Sequence, residues 1–193
     1  MSVRLYLVLT SLALLIALTG AVALLLPPRA DAATFVVNDT GDAVDAALGN
    51  GSCATAGAVC TLRAAIQEAN ALGGADTITL PAGTYTLGIG GADEDVSATG
   101  DLDITGDLTI NGAGAGTTTV DGGGIDRVFQ VVSGTVSISG VTIRNGAAFN
   151  LSPFQGSGGG IYNVSGSTLT LSDSRSAATR QAAAAAASAT RAP

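Results

Sequence analysis

DITGDLTING, residues 103–112, returns twice in altered form, as VVSGTVSISG (131–140) and NVSGSTLTLS (163–172). The three superpose around Gly106, Gly134 and Gly166, at spacings of 28 and then 32 to 33 residues. In that alignment Leu108 and Ile110, Val136 and Ile138, and Leu169 and Leu171 hold equivalent places. Each pair has the two-residue period of a strand with one buried face. Upstream, DTITLPAGTYTL (76–87) alternates Ile78 and Leu80, turns at Pro81-Ala82-Gly83, and alternates again at Tyr85 and Leu87. A repeat in this range, with one or two short strands per unit, is the mark of a solenoid whose units bury their apolar faces on one another. The strands are too short and too often interrupted by glycine for crossover helices, which argues against a doubly wound α/β fold. The fold class expected is all-β: a right-handed parallel β-helix over residues 76–174. Asn111-Gly112 and Asn145-Gly146 fall at matching points after strands and read as turns that tolerate positive φ.

One segment breaks the two-residue period. In VCTLRAAIQEAN (59–70), Leu62, Ala65, Ile66 and Ala69 share one helical face, and Arg63, Gln67, Glu68 and Asn70 take the others. Thr61 is placed to cap the start, and Gly73-Gly74 to stop the run. A helix of about 11 residues is marginal alone in water and must pack on something. The first rung of a solenoid would otherwise offer unpaired backbone groups to another chain. The segment is therefore expected to be a short amino-terminal capping α-helix within a capping region, residues 33–75.

Cys53 and Cys60 are the chain's two cysteines and are expected to form a disulfide. Closing so short a loop contributes roughly 2–2.5 kcal/mol on the chain-entropy estimate. With no histidine in the chain, two thiols make a poor tetrahedral metal site. The same absence removes serine–histidine hydrolase chemistry. Between Ala33 and Ser174 there are 14 acidic residues against Arg63, Arg127 and Arg144, a net charge near −11. Such a body repels phosphate backbones, so no nucleic-acid partner is expected.

Residues 1–32 read as an export segment. Arg4 precedes an apolar run from Leu5 to Leu26, then Pro27-Pro28 and the small-x-small pattern Ala30-Asp31-Ala32. Two readings stand side by side: a cleaved signal peptide, or an uncleaved membrane anchor long enough to span. Both place the remainder outside the cytoplasm, secreted or at the cell surface, with membrane contact through this segment if it is retained. At the other end no glycine follows Gly166, and residues 175–193 are alanine-rich. That tail is read as disordered or as the product of a frameshift.

FVVNDTGDAVDA (35–46), CTLRAAIQEANA (60–71) and ADTITLPAGTYTL (75–87) together resemble the CSLREA-type amino-terminal domain of exported bacterial proteins with right-handed parallel β-helix repeats. Cys60 stands at the signature cysteine, and TLRAAI follows where the motif has SLREAI, with Ala64 in place of its glutamate. GDLDITGDLTINGAG (100–114), ISGVTIRNG (138–146) and GGGIYN (158–163) resemble the coil repeats of that group. The resemblance covers roughly residues 34–172 and implies fold and export. It implies no catalytic residue.

The function expected is that of an exported non-enzymatic cell-surface or extracellular protein, adhesin-like or structural, whose partner is an extracellular polysaccharide or protein. No cofactor, metal or catalytic residue is assigned. The competing readings are a polysaccharide lyase or hydrolase on the same fold and a truncated inactive fragment. An enzyme would draw on Asp107, Asp126, Arg127 and Arg144. The acidic run Asp93-Glu94-Asp95, followed by Asp101, Asp103 and Asp107, matches no calcium-loop spacing and reads as a solvated charged loop.

Overall fold

The computed structural model describes residues 31–91, 94–148 and 158–177, and the backbone of 180–181. The export segment, Asp93 and most of the alanine-rich tail lie outside these residues. The described chain is mostly β-structure with parallel sheets and a single helix. It begins with β1 (Thr34–Val36), α1 (Leu62–Leu72), β2 (Ala75–Leu80) and β3 (Gly83–Thr86). It continues through β4 (Leu102–Ile104), β5 (Asp107–Gly112), β6 (Thr118–Asp121), β7 (Phe129–Val131), β8 (Thr135–Ser139), β9 (Thr142–Arg144) and β10 (Ala147–Ala148). The last strands are β11 (Ile161–Asn163), β12 (Thr168–Ser172), β13 (Arg175–Ala177) and β14 (Arg180–Gln181).

The strands sort into a five-stranded sheet ordered β1-β2-β5-β8-β12, a four-stranded sheet β3-β6-β9-β13, a three-stranded sheet β4-β7-β11 and the pair β10-β14. Within each sheet the strands follow chain order and run parallel. The chain thus visits the three-, five- and four-stranded sheets in turn, and then repeats the circuit.

The register is the one the repeats predict. Leu108 pairs with Val136 and Ile110 with Ile138; Val136 in turn pairs with Leu169 and Ile138 with Leu171. Ile78 extends the second column, opposite Ile110. Tyr85, Val120 and Ile143 form a like column in the four-stranded sheet. These columns are buried through β8 and β9. The three-stranded sheet escapes the sequence reading because LDI, FQV and IYN are too short to show a period.

The Asn-Gly pairs do not occupy matching points. Asn111-Gly112 ends β5, and its counterpart is Ser139-Gly140. Gly112 is needed there because a Cβ would sit 2.4 Å from the carbonyl oxygen of Gly140. Asn145 follows β9 on another sheet and does adopt positive φ, 54°.

Thr61 caps α1 as expected: its Oγ1 accepts a hydrogen bond from the Ala64 amide at 3.2 Å. Gly73 closes the helix with φ 70°. Leu62, Ala65, Ile66 and Ala69 are buried, and α1 packs against β2 and β4. Cys53 and Cys60 are joined, with Cα atoms 5.2 Å apart, just ahead of the helix.

Candidate functional site

The polar residues of α1 are almost as buried as its apolar ones. Arg63 is 1% exposed and Glu68 0%. A buried guanidinium requires a partner for each donor, and Arg63 makes five hydrogen bonds. Nε and Nη2 reach the two carboxylate oxygens of Asp42 at 2.6 and 3.1 Å. Nη1 and Nη2 reach the carbonyls of Ser97, Asp101 and Gly100 at 3.1, 3.2 and 2.9 Å. Burial alone would raise the pKa of Asp42, but Arg63 and the amides of Gly88 and Ile89 hold it below the ordinary carboxylate value. Glu68 accepts from the amides of Gly49 and Gly51. Gln67 accepts from the Asp45 amide and donates to the Ser97 carbonyl. Asn70 donates to the Asp103 carbonyl and accepts from the Thr105 amide. The polar face of α1 therefore holds the loop before it and the loop before β4.

The acidic run of that second loop is solvated only in part: Asp95 and Asp107 are exposed and Glu94 is half-buried, but Asp101 and Asp103 are buried. Glu94 accepts from the amides of Val96 and Thr99, and Asp95 accepts from Gln130 Nε2. Asp101 is buried against Arg127, its Oδ2 3.0 Å from Nε; burial raises its pKa in spite of the guanidinium. Asp103 is fully buried. Its Oδ2 accepts from the Ser97 amide, and its Oδ1 has no hydrogen-bond partner. Burial, and next the charge of Asp101, push Asp103 up to about 8, so it is a neutral acid at pH 7. Among the described residues no three acidic or cysteine side chains are arranged to hold a metal ion. Beside the loop lies a cleft of about 200 Å³ lined by Leu48, Gln67, Asn70, Ala71, Asp95, Val96 and Thr105.

The residues an enzyme would have used are dispersed. Asp107 opens β5, is exposed, and accepts from the Thr135 amide at 2.7 Å. Asp126 and Arg127 are buried rather than on the surface, since Arg127 turns inward to Asp101 and lies 5.3 Å from the centre of the Tyr162 ring. Arg144 lies on another sheet from Asp107 and pairs with Asp121 at 2.8 Å. Burial would raise the pKa of Asp121, but the Gly123 amide, Asn145 and Arg144 together hold it low.

The outer face of the five-stranded sheet presents a different surface. The ladder pairings place Thr34, Thr77, Thr109, Ser137 and Thr170 in one column, all of them exposed or half-buried. Thr79, Asn111, Ser139 and Ser172 form the next, headed by Val36. Neighbouring strands are about 4.8 Å apart, and alternate residues on a strand about 6.6 Å apart. The face is a grid of hydroxyl and amide groups, with Ser139 Oγ bonded to Asn111 Oδ1 at 3.0 Å. Neither column contains a charge.

No family model, curated protein or solved structure matches this chain.

The grid can donate and accept hydrogen bonds at regular intervals, and it needs no proton transfer to do so. A search for clustered charge misses it. Its signal was present in TIT (77–79), TIN (109–111) and SIS (137–139), where short polar residues flank each buried isoleucine.

Proposed function

We propose that this is an exported, non-enzymatic extracellular or cell-surface protein, adhesin-like in action. In this reading the chain is a right-handed parallel β-helix with α1 as its amino-terminal cap, of the CSLREA type. Three ladders in chain order support the solenoid, and parallel crossovers are almost always right-handed. The Cys53–Cys60 disulfide suits an oxidising compartment. The observation that carries the functional reading is the hydroxyl and amide grid. Its two columns carry no charge on an otherwise acidic chain, with Asp107 at their border, and they fit the hydroxyl-rich face of a neutral extracellular polysaccharide.

The test uses the full chain produced in an exporting bacterium. Fractionation should recover it outside the cytoplasm. Immobilised neutral polysaccharides should retain it, and Thr109→Lys with Ser137→Lys should abolish retention while leaving the fold intact. Failure to bind any neutral polysaccharide would sink the adhesin reading. Release of sugar products that Asp107→Asn or Arg144→Gln abolishes would show an enzyme instead.

A further inference from the structure

One carboxylate stands in a column of apolar residues. In the five-stranded sheet Asp76 pairs with Leu108, Leu108 with Val136 and Val136 with Leu169. Asp76 lies on the inward face of β2 with Ile78 and Leu80 and is 2% exposed. A buried carboxylate is costly unless a cation or several donors meet it. Its Oδ1 accepts from the Ala33 amide at 2.7 Å, and the Ala33 carbonyl accepts from the Thr77 amide at 2.9 Å. The Ala33 amide supplies one donor and no charge. Among the described residues, Arg63, Arg127 and Arg144 are committed to Asp42, Asp101 and Asp121, and Arg175 lies on β13 of another sheet. The Ala33 nitrogen is also the first atom after the small-x-small pattern Ala30-Asp31-Ala32, whose Asp31 and Ala32 are exposed.

We infer that Ala33 becomes the first residue of the mature chain and that its α-ammonium closes an ion pair with Asp76. A leader peptidase of the exporting cell adds water across the Ala32–Ala33 bond. Ala32 leaves with the new carboxylate, and Ala33 keeps the nitrogen, which takes up a proton. That nitrogen already sits at Asp76, so cleavage turns a neutral donor into a cation with three donors and needs no movement of β1. The charge that breaks the apolar column thereby becomes the anchor of the first strand. The inference rests on the export reading and not on what the outer grid binds.

The chain contains no lysine, so its α-amine is its only primary amine and can be followed by itself. The full chain produced in an exporting bacterium should yield a protein with the mass of residues 33–193 and Ala33 as its first residue on amino-terminal sequencing. At pH 7 fluorodinitrobenzene should label that amine about tenfold more slowly in the wild type than in a folded Asp76→Asn variant, because a charge partner moves an ionisable group by about one unit or more. The two rates should converge near pH 10, where both amines are neutral. The labelling midpoint of the folded wild type, expected roughly one unit above the ordinary α-amine value of about 8, stands even if Asp76→Asn fails to fold. An exported protein that begins at another residue would overturn the inference and leave export intact. A wild-type midpoint at the ordinary value would also overturn it, as would equal rates at pH 7 or a difference that persists near pH 10. A cytoplasmic product that keeps residues 1–32 would sink the export reading and this inference with it.

Discussion

The segment around α1 and the rung formed by β11, β12 and β13 are opposites. At α1, Arg63, Gln67 and Glu68 are buried and bonded to loops far away in sequence. At the last rung, Leu171 is exposed although nothing about it is polar. The contrast teaches that burial in this molecule follows position along the ladders rather than residue type. A charge surrounded by loop carbonyls can be enclosed, and a leucine with no rung beyond it among the described residues is not.

Substitutions should reproduce that gradient. The largest effect belongs to Arg63→Ala, which removes the charged partner of the buried Asp42 and the side-chain donor to the Gly100 and Asp101 carbonyls. The expected loss is about 3–5 kcal/mol, read as a fall in urea midpoint. Ile138→Ala should cost about 3 kcal/mol through the cavity it opens, whereas Leu171→Ala, its partner on the next strand of the same column, should cost under about 1 kcal/mol. Equal losses at these two positions would erase the contrast. Cys53→Ser with Cys60→Ser should lose about 2 kcal/mol from closure of the short loop before α1, seen as a matching drop for the wild type on reduction.

The comparison can also be sharpened through pH. Asp103 ionises near 3.8 when unfolded and near 8 when folded. Between those values the folded protein holds a proton that the unfolded chain has released. Its contribution is therefore whole below about pH 4 and is lost as pH rises to about 8. Asp42 and Asp121, held low, act in the opposite sense and lose their contribution as pH falls through the acid range. Asp103→Asn should flatten the decline in Tm between pH 5 and pH 8 without altering the acid side. A profile unchanged by that substitution would remove Asp103 from the account.

Much of this was legible beforehand. The columns through Leu108, Ile110, Val136 and Ile138 could be read because strand side chains alternate faces, so two aligned repeats fix which residues meet. The caps of α1 and the disulfide were equally local. The candidate site was less legible. Asp101 and Asp103 looked like solvated charges because the groups that enclose them, Arg127 from 26 residues downstream and the loop at Ser97, have no neighbourly pattern. The burial of Asp126 and Arg127 has the same cause and is equally absent from the local pattern. The hydroxyl grid went unnoticed because each of its residues is unremarkable on its own strand and gains meaning only when strands are stacked.

By itself, then, the amino-acid sequence determined the strand period, the register of the repeats, the limits of the helix and the pairing of the two cysteines, since all of these depend on neighbours within a few residues or on repeats that align. Only the tertiary structure decided which polar groups are enclosed, which hydroxyls fall into columns and how far along the described ladders the isoleucine column is buried. Those outcomes depend on atoms brought together from distant parts of the chain, and a linear pattern does not record their distances.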